Sequence, residues 1–240
     1  MLSVVGPYVN GAAVAIGGIV GAFLGTRLPE RLRTAMPQTF GVCSMALGIV
    51  MIVKLKHLPP VVLALVIGAM IGELIYLEKG IGAIGAKAKW AVERVFPARE
   101  GLSAEEFLEK FVAILVLFCA SGTGIFGAMN EGMTGDPQIL FVKSILDLFT
   151  SGIFATALGY AVATICAPQL VIQLALAWGA TYIMPLTTPE MIADFSAVGG
   201  LIMLATGFRI CGIKPFPVAN MLPALLFAMP FSQMWTRAFG

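Results

Sequence analysis

Charge is what this chain has least of. Only 12% of its 240 residues are Asp, Glu, Lys or Arg, 59% are hydrophobic, and the mean hydropathy is +0.94. Soluble domains carry roughly a quarter charged residues, so a water-soluble fold is excluded. The 15 basic and 13 acidic residues leave a net charge of +2. That balance is too even and too dilute to neutralise a phosphate backbone, which excludes nucleic acid as a partner. His57 is the one histidine, and no G-x-S-x-G, H-E-x-x-H or P-loop is present, so nothing points to an enzyme or a cofactor. Cys43, Cys119, Cys166 and Cys211 lie in or beside apolar runs without C-x-x-C spacing. Neither zinc nor a disulfide framework is indicated, and no particular metal is singled out. The first ten residues have no basic n-region and no A-x-A cleavage site, so they read as the edge of a first membrane span.

What is present is a series of long charge-free gaps. Residues 1–26, 34–53, 57–72, 111–130, 148–189 and 215–236 carry no Asp, Glu, Lys or Arg. A charge near the bilayer centre costs about 2.5–3.5 kcal/mol on insertion scales, so these gaps outline spans of ~20 residues. The expected spans lie near 7–25, 37–53, 58–76, 108–128, 139–163, 168–186, 194–209 and 217–236, with Ala167-Pro168 turning the chain inside the longest gap. The fold class is therefore all-α: a polytopic transmembrane helix bundle of about eight spans, with seven and nine as neighbouring counts.

Orientation follows from Lys and Arg in short loops. With both termini outside, 11 of the 15 basic residues fall on the cytoplasmic side, among them Arg27, Arg31, Arg33, Arg209 and Lys214. Residues 78–110 hold 12 charged residues and form the one candidate soluble loop, on the cytoplasmic side. Around Trp90 that loop reads either as a helix lying on the anionic inner leaflet or as a solvated connector.

The two ends of the chain look alike. Residues 40–62 and 195–218 both run from an apolar span through a basic end and a prolyl turn into another span. The implied organisation is a first repeat unit at 1–77, the charged loop, central spans at 111–165 and a second repeat unit at 166–240. In an eight-span topology the two units are inverted, the arrangement of secondary transporters with a site near the midplane.

Chemistry gathers in a few places. Five glycines fall between Gly122 and Gly135, interleaved with hydroxyls, and the run includes Ser121, Thr123 and Asn130. Such a segment either breaks a helix near 121–124 and exposes backbone dipoles to a ligand, or packs small residues against a neighbour. Lys143 and Asp147, four residues apart, share one helix face some way into a span. They are either an ion- or solute-binding pair or a structural one whose lysine snorkels outward. Asp194, with Glu190, Thr187 and Thr188, stands at an outer hairpin as a cation-binding cluster or a solvated turn. Asn10 and Asn220 either bond across helices or line a path. Gly17, Gly21 and Gly25 form one G-x-x-x-G face and Gly68 with Gly72 another, suited to close helix contacts or a homodimer.

Residues 7–11 (PYVNG), 27–31 (RLPER), 72–80, 121–137 and 193–200 together resemble a bacterial inner-membrane family of unknown function typified by YqgA and YdfK, over nearly the whole chain. The resemblance implies a multi-pass protein of the bacterial cytoplasmic membrane and supplies no substrate or site residues. The expected function is a small secondary transporter, exporter or channel for an ion or small polar solute, using Ser121, Thr123, Asn130, Lys143, Asp147 and Asp194. The alternative is a non-transporting membrane scaffold or sensor that assembles through its glycine faces.

Overall fold

Apolar runs must close their backbone hydrogen bonds internally, and here they close them as helices whose ends are set by proline and glycine. A computed structural model describes residues 4–27, 29–87, 107, 111, 114–115, 117–119 and 121–239; residues 88–106 of the charged loop, with Trp90, lie outside them. Helix α1 (Gly6–Leu24) carries Pro7 in its first turn and stops at Gly25, where φ is 54°. Helices α2 (Glu30–Ile52), α3 (Leu58–Leu74) and α4 (Leu77–Lys87) follow, then α5 (Gly122–Thr134) and α6 (Gln138–Leu158). After α7 (Cys166–Ile183) and α8 (Pro189–Ile210), the last apolar stretch divides into α9 (Val218–Met221) and α10 (Ala224–Phe239). The described residues contain no strand.

One turn differs from its expected place. Helix α6 ends at Gly159, whose φ of +67° favours glycine, and a 3-10 segment, Gly159–Ile165, reverses the chain. Pro168 falls in the first turn of α7, where a missing N–H costs nothing, so it opens a helix rather than breaking one.

Three described segments are long and apolar enough to cross a membrane: Gly6–Leu24, Gln138–Ile183 and Pro189–Ile210; Gln38–Ile52 and Leu58–Leu74 are shorter apolar helices. The 46 residues of Gln138–Ile183 comprise α6, the 3-10 segment and α7; Gln169 bonds Asp147 while Gln173 flanks Gly124 together with Lys143, so the two helices run antiparallel.

The principal pairings are α1 on α6, α2 on α8, α5 on α7 and α3 on α10. Small residues set them. A side chain at Gly17 or Gly21 would overlap the α6 backbone at Leu148 or Gly152, and one at Gly68 or Gly72 would overlap Ala224 or Asn220. These glycine faces are therefore occupied within the chain, while Gly25 lies beyond α1. The register gives direction. Gly17 and Gly21 advance with Leu148 and Gly152, so α1 and α6 are parallel; Gly72 meets Asn220 in α9, Gly68 meets Ala224 at the start of α10, and Ser232 of α10 shares Asp194 with His57 just ahead of α3, so α3 runs antiparallel to α9 and α10.

The α2/α8 crossing is reciprocal. A Cβ on Gly48 would lie 2.6 Å from the Gly200 carbonyl oxygen, and one on Gly200 would lie 2.6 Å from that of Gly48; Gly41 and Gly207 mirror each other in the same way. The exterior is apolar, with Ile16, Ile19, Val20 and Phe23 on α1 and Val62, Leu63, Val66 and Met70 on α3 all exposed, whereas Asn10, Glu131, Lys143, Asp147, Gln169, Gln173 and Asp194 are buried. Polar inside and apolar outside is the pattern required where lipid is the solvent.

Candidate functional site

Spacing of four puts Lys143 and Asp147 one turn apart on the inward face of α6, only 4% and 7% exposed. Lys143 Nζ donates to Asp147 Oδ2 at 2.6 Å. Two neutral amides donate to the same oxygen: Asn10 Nδ2 from α1 at 2.8 Å and Gln169 Nε2 from α7 at 2.9 Å. Asn10 Oδ1 in turn accepts from Gln169 Nε2 at 2.6 Å and Gln173 Nε2 at 2.7 Å. Helices α1, α6 and α7 are thus joined by one buried network whose donors converge on Asp147. A buried carboxylate needs such partners, because an unpaired one in a low-dielectric interior is far costlier than the pair.

On its other side this network borders a cavity of about 340 Å³. Lys143, Asp147, Ser121, Thr123, Thr150, Ser44 and Thr206 line it, between apolar walls that include Phe40, Phe118, Leu146, Ile153 and Phe154. The helix break is at its edge. Residues 117–119 are helical, Ser121 is extended (φ −71°, ψ 137°), and α5 starts anew at Gly122 with the Ser121 hydroxyl accepting from Gly124 N at 3.1 Å. Serine at this position satisfies one of the orphan N–H groups of the new helix. A Cβ at Gly124 would stand 2.8 Å from Lys143 Cε and 2.9 Å from Ser121 Oγ, so glycine is what leaves the lysine stem its path. The Lys143 ammonium also lies over the Phe118 ring, 5.6 Å from its centroid. Arg209, on the cavity wall as well, is held by Glu78 at 2.7 Å and by the Phe216 carbonyl at 3.2 Å.

Four of the expected residues, Ser121, Thr123, Lys143 and Asp147, therefore line one cavity. Asn130 is buried further along α5, where Nδ2 donates to Thr134 Oγ1 at 3.3 Å. Asp194 belongs to another centre: it accepts from the backbone N–H groups of Lys56 and His57, both at 2.9 Å, and from Ser232 Oγ at 2.7 Å, and it pairs with His57 Nδ1 at 3.0 Å. No group of three His, Cys, Asp or Glu side chains is placed to hold a metal among the described residues.

Sequence reasoning passed over Gln169, Gln173 and Glu131. The two glutamines were marked only by their spacing of four within an apolar run. Glu131 is fully buried and accepts from Val5 N at 2.7 Å and Gly6 N at 2.9 Å, binding the start of α1 to the end of α5. Asp194 does the same for the residues leading into α3, and Glu78 for Ala219 at the start of α9, at 3.1 Å. Carboxylates at helix N-termini meet both orphan donors and the positive end of the dipole. Glu131→Gln is expected to lower stability by about 1.5–3 kcal/mol, the value of hydrogen bonds to a charged group. Thermal unfolding in detergent measures it, and an unchanged midpoint would remove the carboxylate from the α1 cap.

Two relatives match along nearly their full length. The uncharacterized protein YqgA of Escherichia coli (strain K12) is 58% identical over 237 residues, 99% of this chain and 100% of the relative. The uncharacterized membrane protein YdfK of Bacillus subtilis (strain 168) is 26% identical over 241 residues, 98% of each. No solved structure matches. Residues 5–233 match the family described as "Protein of unknown function (DUF554)". With a match of that extent and a relative at 58% identity, the chain belongs to the DUF554 family.

Proposed function

We propose that this protein is a small multi-pass transporter of the bacterial inner membrane that moves an ion or small polar solute, with both termini periplasmic. The observation that carries the reading is the convergence of Ser121, Thr123, Lys143 and Asp147 on one cavity. Intramembrane ionisable residues are costly and are retained where they serve a pathway, and a helix broken beside a cavity is how a transporter offers backbone dipoles to its cargo.

The helix directions support eight crossings and inverted units. Eight alternating spans require α1 parallel to α6 and require α3 antiparallel to α10, as their contacts have it. The reciprocal α2/α8 contact is what a pseudo-two-fold axis between two such units generates. Assembly as a scaffold would use free glycine faces, and Gly17, Gly21, Gly68 and Gly72 are engaged inside the chain.

The test is electrical. Protein reconstituted on a solid-supported membrane is challenged with inorganic ions, amino acids and small metabolites; at least one is expected to evoke a current that empty vesicles lack. Silence across the panel contradicts transport. Orientation is checked in a cysteine-free background with Gln138→Cys and Lys214→Cys, which a membrane-impermeant maleimide labels from the periplasm and from the cytoplasm respectively.

A further inference from the structure

We infer that the cavity takes a small organic cation, a protonated primary amine, whose ammonium group lands on Asp147 in place of Lys143. The inference deepens the transport reading and rests on it for the passage of the ligand, not for its binding.

The first ground is that the cavity wall offers acceptors. Ser44, Thr150 and Thr206 turn their hydroxyl protons onto the carbonyls of Met203, Leu146 and Ile202, at 3.1, 2.7 and 2.8 Å, so their lone pairs are what remains for a ligand. Asp147 is used unevenly. Three donors crowd Oδ2, while Oδ1 has no hydrogen bond among the described residues although Asp147 lines the cavity. The carbonyl oxygens of Gln169 and Gln173, residues 0% and 2% exposed, likewise have no hydrogen-bond partner among the described residues. Buried acceptors are rarely left unmet; these two lie outside the cavity lining, in the network joined to Asp147, and the lining's own acceptors suit a donor.

Lys143 shows which donor fits. Its ammonium rests on the carboxylate at 2.6 Å and against the Phe118 face at 5.6 Å, with its alkyl stem behind it. That is a primary ammonium already bound in the site. A volume of about 340 Å³ is in the range of small-molecule pockets, roughly 300–1,000 Å³, and is far larger than a bare alkali ion fills. Leu146, Ile153 and Phe154 supply an apolar wall for an alkyl chain. An anion finds less: the Lys143 charge is met by Asp147 and that of Arg209 by Glu78.

The orphan carbonyls give the displaced lysine a destination. At Gly124, a Cβ would be 2.8 Å from Lys143 Cε and 3.3 Å from Gln173 Nε2, so the lysine stem and the Gln173 amide flank the same glycine. On arrival of the amine, the Lys143 ammonium moves from Asp147 to the Gln173 carbonyl, and it returns when the amine leaves.

Calorimetry on the purified protein, at neutral pH, with n-butylamine, n-butanol and sodium chloride as probes, tests this. Butylamine is expected to bind saturably, butanol and sodium not to compete, and Asp147→Asn to lose binding. Lys143→Gln, which removes the tethered competitor, tightens butylamine by about tenfold, because the competent fraction of sites rises; Gln173→Leu, which removes the second berth, weakens it. The last two variants carry the test if Asp147→Asn fails to fold. Equal binding of butanol, binding of sodium without amine, or loss of binding in Lys143→Gln overturns the inference. Amine binding without any current defeats the transport reading alone, and currents with other solutes but no amine binding defeat this inference alone.

Discussion

Asp147→Asn lowers stability by about 3–5 kcal/mol, the usual cost of removing one partner from a buried ion pair, and abolishes solute-evoked current. Asparagine keeps the size of the side chain but not its charge. The Lys143 ammonium, 4% exposed, is then left without a counter-charge, and Asn10 Nδ2 and Gln169 Nε2 lose the anionic acceptor they share with it. The double variant Lys143→Met/Asp147→Leu separates stability from function. Buried pairs replaced by apolar residues of similar volume are often neutral or stabilising, so most of the loss returns. The recovery stops short by about 1–3 kcal/mol, since the Asn10 amide still lacks its acceptor. Thermal unfolding of both variants in one detergent reads the difference. A double variant less stable than Asp147→Asn would mean that the network, not the unpaired charge, sets the cost.

The second large effect is at the helix crossings. Gly21→Ala places a methyl group on the Gly152 carbonyl oxygen, and Gly200→Ala places one 2.6 Å from the Gly48 carbonyl oxygen. Backbone atoms cannot swing aside as a flexible side chain can, so each substitution forces α1 from α6, or α8 from α2. The expected loss lies at the upper end of the ~1–3 kcal/mol typical of overpacking. Gly179→Ala is the control: nothing lies within 4 Å of its added Cβ, so no loss is expected. Equal unfolding midpoints for Gly21→Ala and Gly179→Ala would show that the crossings are looser than the glycine contacts require.

Charge scarcity made the helices legible, since a residue that cannot be solvated in lipid marks where a span cannot be. The break at Ser121 was legible for a different reason: no spanning helix gains from glycine and hydroxyls at that density. Lys143 and Asp147 stood out by cost alone. Their partners did not. A neutral amide such as Gln169 interrupts no charge-free gap, and its role depends on α7 folding back beside α6 and on α1 lying against both, which no local pattern encodes. The turn between α6 and α7 was misplaced because proline marks either end of a helix, and only the positive φ at Gly159 decides which. Asp194 looked like part of an outer cluster because Thr187, Thr188 and Glu190 are near in sequence, whereas its donors come from residues 56, 57 and 232.

The central claim is that cargo passes through the cavity at Asp147. The most direct measurement is the current evoked, on a solid-supported membrane, by whichever solute drives the wild-type protein, repeated with Lys143→Met/Asp147→Leu after its folding has been verified by thermal unfolding. The account predicts no current from the folded double variant at any solute concentration. A current of wild-type size from that variant would contradict it.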